Sequence, residues 1–345
     1  MLNEPHAALK RVSILIPTYN EEHYIAGCLD SILRNDYPQN LLEILVIDGG
    51  STDGTKEIVR SYVERYHFIR LLTNPKRIQA AAMNIGIREA TGEIIIWMSA
   101  HAFYASDYIR QSVTLLQQVD AACVGGLMVA TGSGYISNSI AIAITSPFGS
   151  GDARYRYSDR EEWVDTVFAG CWYKRTLEAI GGFNEEWVVN EDYELNYRLR
   201  QAGGRILFSP KIRCQYFVRS SLRALARQYF RYGFWKVKTL VTYPDSLRWR
   251  QLVPPLFALA LITSLMLIPI SWAAGIVIPI LYGAANLMAS LQAARRCGWK
   301  YLPLLPAVFT TLHLSWGIGF WSGMVRFGIP RFSWRSVARA FRSHY

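Results

Sequence analysis

Short apolar runs alternate with longer stretches of helical spacing along the first hundred residues. Val12–Pro17 (VSILIP) and Glu43–Asp48 (EILVID) are β-branched runs that end at turn signals. Between them, Glu21–Arg34 places Ile25, Leu29, Ile32 and Leu33 on one side of a helix. "DGGSTDGT" then leads into a helical stretch, Thr55–Tyr66, with Asp53 placed as its cap. Ile69–Leu72, helix-like Arg77–Ala90 and the apolar run Ile94–Met98 continue the alternation. Ser99-Ala100-His101 closes that run, and Ser106-Asp107 opens the next helix. This β-α-β-α order predicts an α/β fold with a doubly wound, mostly parallel sheet.

The pattern changes after residue 250. Gln251 to Ala294 are 44 residues without one Asp, Glu, Lys or Arg, and Tyr301 to Val325 are another 25. A bilayer core takes about 20 apolar residues per helix. Leu252–Trp272, Ala273–Leu291 and Leu302–Ser322 are therefore expected as about three transmembrane segments within residues 251–323. The net charge of +11 fits this reading better than a nucleic-acid partner, because its carriers border the apolar segments. Lys236, Lys238, Arg248 and Arg250 precede the first segment, and Arg295, Arg296 and Lys300 fill the loop before the third. Arg326, Arg331, Arg335, Arg339 and Arg342 mark residues 324–345 as a basic amphipathic tail. Basic flanks favour the cytoplasmic side and anionic headgroups. The expectation is a multi-pass protein of the inner or plasma membrane with its N-terminal domain, residues 1–220, in the cytoplasm. No apolar stretch precedes Val12, so no signal peptide is expected. The five cysteines show no paired spacing, as expected of reduced thiols.

In a doubly wound sheet, ligands bind at the carboxyl ends of the strands, where strand order reverses. Thr18-Tyr19-Asn20-Glu21, Asp48-Gly49-Gly50 and Ser99-Ala100-His101 all fall at such ends. Taken alone, "DGGSTDGT" is equally a turn with a helix cap. Farther along, Glu191, Asp192 and Glu194 open a helix that Gly203-Gly204 ends. Those acids suit either ordinary helix-start chemistry or a general base presented to a sugar hydroxyl. Ala224–Lys238 interleaves Arg227, Arg231, Lys236 and Lys238 with five aromatic residues, so residues 221–250 are expected as amphipathic interface helices.

Taken in order, these stretches resemble family 2 inverting glycosyltransferases with a GT-A fold, of the ExoA exopolysaccharide type. The matching stretches are "SILIPTYNEEHYIAGCLDSI", "VIDGGSTDGT", "NPKRIQAAAMNIGIREATGEIIIWMSAHA", "VDTVFAGCWYKR", "GGFNEEWVVNEDYELNYRLRQAGG" and "RQYFRYGFWK". The resemblance spans about residues 11–240. It implies that Pro17, Tyr19, Glu21 and Asp48 line the nucleoside pocket, and that Arg77 and Asn84 help hold the nucleotide or its diphosphate. It makes Asp192, within Asn190-Glu191-Asp192, the base for the acceptor hydroxyl. Gly170 and Cys171, in Phe168-Ala169-Gly170-Cys171, would sit beside the acceptor. Gln228, Arg231 and Tyr232 look like the family's QxxRW motif with Tyr for Trp, bracketing acceptor and diphosphate. The partners implied are a nucleoside-diphosphate sugar, most simply a UDP-sugar, a lipid-linked saccharide acceptor and the bilayer. Oligomeric state is not encoded in these motifs.

One position departs from the pattern. The family's Asp-x-Asp is Ser99-Ala100-His101 here, so a hydroxyl stands where the first metal-binding carboxylate is expected. Serine is a poor ligand for Mn²⁺ or Mg²⁺, and His101 is a weak metal ligand better suited to Mn²⁺. Three outcomes stay open: weak metal binding through His101 and the diphosphate, neutralisation by Arg231 and nearby cations, or loss of turnover. The last would make the chain a silent nucleotide-binding membrane scaffold. Retention of Asp48, Glu191-Asp192 and Gln228–Tyr232 favours an active hexosyltransferase.

Overall fold

The computed structural model describes residues 9–332. The chain forms two compact units. The first comprises the chain up to Val129 together with Tyr157–Tyr216, and the second comprises Ala130–Arg156 and the chain from Phe217 onward.

In the first unit, strands and helices alternate as the periodicity predicts: β1 (Val12–Thr18), α1 (Ile25–Leu33), β2 (Leu42–Asp48), α2 (Thr55–Arg65), β3 (Ile69–Thr73), α3 (Gln79–Glu89) and β4 (Ile94–Trp97). Next come β5 (Ala102–Tyr104), α4 (Tyr108–Gln118) and β6 (Cys123–Thr131), whose end enters the second unit. There α5 (Tyr135–Ile144) and the single turn α6 (Pro147–Ser150) follow. The chain returns through β7 (Glu162–Trp163), β8 (Phe168–Tyr173), α7 (Lys174–Ala179), α8 (Glu191–Gln201) and β9 (Ile206–Phe217). Every residue of β2 and β4 is buried, as expected of strands covered on both faces.

Among the described residues the strands form one sheet in the order β3-β2-β1-β4-β8-β6-β9-β5, with β7 paired to β9. The expected mostly parallel sheet needs correction. Pairs β1–β2, β1–β4 and β2–β3 are parallel, whereas β4–β8, β5–β9, β6–β8 and β7–β9 are antiparallel. Parallel neighbours need a crossover of a dozen or more residues, usually a helix. Helices α1, α2 and α3 link the first four strands in this way. Met98–His101 then carry the chain from β4 into β5 with no helix between, so the strand–helix alternation that builds parallel pairs ends there. Strand order reverses between β1 and β4, which places the switch point, and so the ligand-binding edge, beside Thr18, Asp48 and Ser99.

The second unit is helical. It adds α9 (Leu222–Thr242), α10 (Val253–Leu267), α11 (Trp272–Cys297) and α12 (Leu305–Phe327). Two helices are long and apolar enough to cross a membrane, Trp249–Leu267 (with its leading turn) and Trp272–Cys297. The segment expected as a third span is α12, which lies along α9, the helix expected on the membrane interface, and also meets α10, where Trp321 Nε1 donates to the Pro255 carbonyl at 2.9 Å. Glycines allow the approach to α9. A Cβ at Gly233 would lie 2.0 Å from the Trp316 carbonyl oxygen, and one at Gly319 would lie 2.1 Å from that of Phe230. Gly323 faces the Phe234 carbonyl in the same way at 2.5 Å, so Gly319 and Gly323 form a small-xxx-small contact. Gly319→Val is expected to force the helices apart and cost about 1–3 kcal/mol, read as a lower melting temperature in detergent. Gly319→Ala should cost less. The exposed Arg223, Arg227 and Arg231 line another side of α9.

His313, in α12, is fully engaged. Its Nε2 lies 2.8 Å from the Phe148 carbonyl oxygen and its Nδ1 3.0 Å from Tyr282 Oη. Asn286 Nδ2 donates to Thr310 Oγ1 at 3.0 Å and to the Pro306 carbonyl at 3.0 Å, tying α11 to α12 by paired polar groups. Of the basic tail, Arg335, Arg339 and Arg342 lie outside the described residues.

Candidate active site

Three loops meet at the carboxyl edge of the parallel strands. Thr18 is in register with Asp48, and the Gly49 amide donates to the Thr18 carbonyl at 2.8 Å. The loop after β1 is stitched to the loop after β2. The Asn20 amide donates to Ser51 Oγ (2.9 Å), Thr52 N to Asn20 Oδ1 (2.9 Å), Glu21 N to Thr55 Oγ1 (2.8 Å) and Gly54 N to Glu22 Oε2 (2.8 Å). "TYNEE" and "DGGSTDGT" are therefore one structural element. Asp53, expected as the cap of α2, lies one residue before the observed N-cap, Gly54, and its carboxylate accepts from Thr55 N and Oγ1 and from Glu22 N. Its slight burial works against ionisation, and those hydrogen bonds outweigh it and hold the carboxyl below its ordinary range.

Asp48 is 4% exposed, and its carboxylate accepts from the backbone amides of Gly50 (2.8 Å) and Ser51 (3.0 Å). The acid thus builds the turn, and its carboxylate keeps further acceptor sites. The Tyr19 ring and the Arg77 side chain border the two glycines. A Cβ at Gly49 would meet Tyr19 Cδ2 at 3.5 Å, and one at Gly50 would meet Arg77 Nε at 3.4 Å. Gly50 has φ +79°, a backbone that favours glycine. Pro17 is the penultimate residue of β1, opposite Ile47.

At the end of β4, Ser99 is anchored through its backbone, its amide donating to Tyr104 Oη at 2.6 Å. His101 Nδ1 lies 2.7 Å from Glu21 Oε1, so a residue expected at the nucleoside contacts the one expected at the metal. Tyr24 and Tyr216 meet the imidazole edge-on, at centroid distances of 6.5 and 5.0 Å. This aromatic framing of the histidine was not legible in the sequence, because Tyr216 arrives from the far end of β9.

Several expected contacts are placed otherwise. Asn84 is spent on the loop after α7: its Nδ2 donates to the Phe183 carbonyl (2.8 Å) and Glu185 Oε1 (2.9 Å), and its Oδ1 accepts from Phe183 N (2.8 Å). With both amide ends engaged, it positions that loop rather than reaching a diphosphate. Lys76 Nζ meets Glu185 at 2.6 Å, and hydrogen bonds from Lys76 and then Asn84 hold the Glu185 carboxyl below its usual range. Gly170 and Cys171 are interior residues of β8, not acceptor contacts. A Cβ on Gly170 would lie 2.4 Å from the Trp172 ring, and Cys171 is 1% exposed in the main core. Burial pushes the Cys28, Cys123 and Cys171 thiols well up, and Cys214 to about 12, so these four are protonated packing groups rather than nucleophiles.

Glu191 and Asp192 open α8, with Glu191 buried and Asp192 half-buried. Asn190, just before them, has φ 65°. Asn20 (φ 54°), Arg77 (φ 57°) and Ala169 (φ 49°) share this left-handed conformation, and among the described residues no other non-glycine residue does. Each costs on the order of 1–3 kcal/mol and persists where its surroundings impose it, typically near functional sites. All four fall within the quoted motifs. Gln228, Arg231 and Tyr232 lie on α9 in the second unit, where Gln228 Nε2 donates to Tyr232 Oη at 2.8 Å. Arg231 is exposed.

Among the described residues no group of three or more His, Cys, Asp or Glu side chains converges on a metal position. The corner formed by Ser99 and His101 offers one imidazole and one hydroxyl. That donor set fits a divalent cation only if the cation draws most of its ligands from water or a bound diphosphate.

Known proteins match this architecture. The profile of the family described as "Glycosyl transferase family 2" matches residues 13–179. The succinoglycan biosynthesis protein ExoA of Rhizobium meliloti is 32% identical over 317 residues, covering 91% of this chain and 95% of that protein. A dolichyl N-acetyl-α-D-glucosaminyl phosphate 3-β-D-2,3-diacetamido-2,3-dideoxy-β-D-glucuronosyltransferase of Methanococcus voltae is 29% identical over 323 residues, covering 91% and 97%. The fold is similar to that of the mannosyltransferase PcManGT of Pyrobaculum calidifontis, solved with GDP-Man and Mn²⁺, at a TM-score of 0.57 and 22% identity, covering 92% and 87%. An identity of 32% along nine-tenths of both chains, on a GT-A fold with its strand-end loops in place, makes this chain a member of glycosyltransferase family 2.

Proposed function

We propose that this glycosyltransferase is a membrane-bound, inverting hexosyltransferase. It takes a hexose from a nucleoside-diphosphate sugar, most simply a UDP-sugar, and passes it to a lipid-linked saccharide on the cytoplasmic face of the inner or plasma membrane. The observation that carries this reading is the meeting of the loops after β1 and β2 with Ser99-Ala100-His101, in a chain whose second unit holds two helices long and apolar enough to cross a membrane. The names of the relatives agree. One serves succinoglycan biosynthesis and another acts on a dolichyl phosphate-linked sugar.

In this mechanism Asp48 and the Tyr19 ring receive the nucleoside, while Arg77, exposed beside Gly50, offers a guanidinium to the diphosphate. An acceptor hydroxyl is a poor nucleophile until its proton is removed. Asp192 takes that proton as the hydroxyl oxygen bonds to the anomeric carbon, and the bond from that carbon to the diphosphate oxygen breaks on the opposite face. A single displacement inverts the centre. A divalent cation bound at the Ser99–His101 corner would help neutralise the charge gathering on the diphosphate.

The test is release of nucleoside diphosphate from a panel of nucleotide sugars, using membranes that contain the protein and extracted acceptor lipids. Acceptor-dependent release with one donor, and a product of inverted anomeric configuration by NMR, is the expected result. Donor binding without release from any donor or lipid extract would instead leave a nucleotide-binding scaffold.

A further inference from the structure

The corner at the end of β4 lacks the carboxylate that a cation-dependent site is expected to carry, yet a carboxylate is present there. Glu21 reaches it from the end of β1, 80 residues away in sequence, with its Oε1 2.7 Å from His101 Nδ1. We propose that Glu21 is a positioning residue that acts through His101, fixing the imidazole in its Nδ1–H form so that Nε2 presents a lone pair to a divalent cation. The inference rests on the transfer reading above only for the purpose that this cation serves.

The geometry restricts the alternatives. A neutral imidazole carries one N–H and one lone pair, and an ionised carboxylate can only accept. In a neutral imidazole the nitrogen beside Glu21 therefore holds the proton, and the other is left to accept. The ring cannot easily turn away. Tyr216 and Tyr24 meet it edge-on at 5.0 and 6.5 Å, and the His101 and Glu21 side chains are only 21% and 18% exposed. Glu21 is itself held in place. Its amide donates to Thr55 Oγ1 at 2.8 Å, and that hydroxyl donates to Asp53 Oδ1 at 2.5 Å. The Glu21 carbonyl accepts from Tyr24 N and Ile25 N, both at 2.9 Å. A line of bonded groups thus runs from the loop after β2, through the loop after β1, to the end of β4.

A cation on Nε2 would lie across the ring from Nδ1, beyond the carboxylate's reach, so Glu21 is not itself a ligand. Its contribution is to set the tautomer and orientation of the imidazole, as carboxylates hydrogen-bonded to metal-binding histidines do.

Histidine-selective ¹⁵N labelling tests this in the full-length protein in detergent. His101 is assigned from the signal lost in His101→Ala, and two-bond ¹H–¹⁵N spectra at pH 8 read its tautomer. The unaltered protein should show Nδ1–H with an unprotonated Nε2, and Mn²⁺ alone should broaden the His101 signals where equal Mg²⁺ does not. Glu21→Ala should release the ring to the Nε2–H form and raise the Mn²⁺ concentration needed for half-broadening by about 10–100-fold. Glu21→Gln, whose amide oxygen still accepts from Nδ1–H, should keep the tautomer and stay near the unaltered protein in Mn²⁺ response. An Nε2–H tautomer in the unaltered protein, or the absence of Mn²⁺ broadening there, overturns the proposal. So do equal losses in the Ala and Gln variants. If Glu21→Ala does not fold, the tautomer of the unaltered protein and the response of Glu21→Gln still decide. None of these readings needs a donor sugar, so a failure of the transfer reaction would be seen separately.

Discussion

Asp192→Asn is expected to lower nucleoside-diphosphate release by about 10²–10⁴-fold, the range set by removing a general base. The substitution is nearly isosteric, and the Asn amide oxygen can still accept from Tyr193 N, which donates to Asp192 Oδ1 at 2.7 Å. The start of α8 should therefore survive. Donor binding, measured separately by displacement of a labelled nucleotide, should stay close to that of the unaltered protein, since the base acts on the acceptor. Loss of release together with loss of donor binding would point to a misplaced loop instead. An unchanged rate of release would remove Asp192 from the proton transfer altogether.

Arg198→Met should have the largest effect on stability. Arg198 forms a two-pronged pair with Glu194, at 2.7 and 2.9 Å, inside α8. The Glu194 side chain is fully buried. The same guanidinium donates to the carbonyls of Ile180 (2.5 Å) and Gly182 (2.7 Å), so it also fastens the turn whose Phe183 and Glu185 are held by Asn84. Met keeps the length of the side chain but leaves Glu194 in the interior without its cation. Breaking a buried pair from one side costs about 3–5 kcal/mol. At about 2–4 °C per kcal/mol for a unit of this size, the melting temperature should fall by about 6–20 °C. Changing both partners to apolar residues, as in Glu194→Leu with Arg198→Met, should recover much of that loss, because no lone buried charge remains. A double variant no more stable than Arg198→Met would mean that the carbonyl contacts, not the charge pair, carry the effect.

Elements built from local sequence were readable in advance. The first four strands and their helices repeat one pattern, and β1, β2 and β4 are almost wholly buried, so apolar runs and helical spacing located them to within a few residues. Reading ended where elements became too short to show a period. β5 has three residues and β7 has two, and these belong to the half of the sheet that proved antiparallel. The motifs at the strand ends were legible for the same reason: each is a contiguous stretch whose turn residues serve its own backbone, as Asp48 does for Gly50 and Ser51.

The apolar stretches beyond residue 250 showed where helices lie, but hydropathy does not reveal which helix another will cover. α12 is as uncharged as a span until Arg326, yet its glycines bring it against the backbone of α9. That contact depends on which small residues face each other once both helices exist.

Composition and spacing along the chain thus settled the α/β order of the first unit, the identity of the turn-forming motifs and the position of the apolar helices, because these follow from interactions among residues a few positions apart. Three-dimensional packing alone decided that Asn84 serves a loop, that Cys171 belongs to the core, and that Glu21 rather than residue 99 brings a carboxylate to His101. Those contacts join residues 75 or more positions apart, or turn on which face of a strand meets its neighbour. Free energy gained by burial and hydrogen bonding across strands selects them, and no local pattern records that choice.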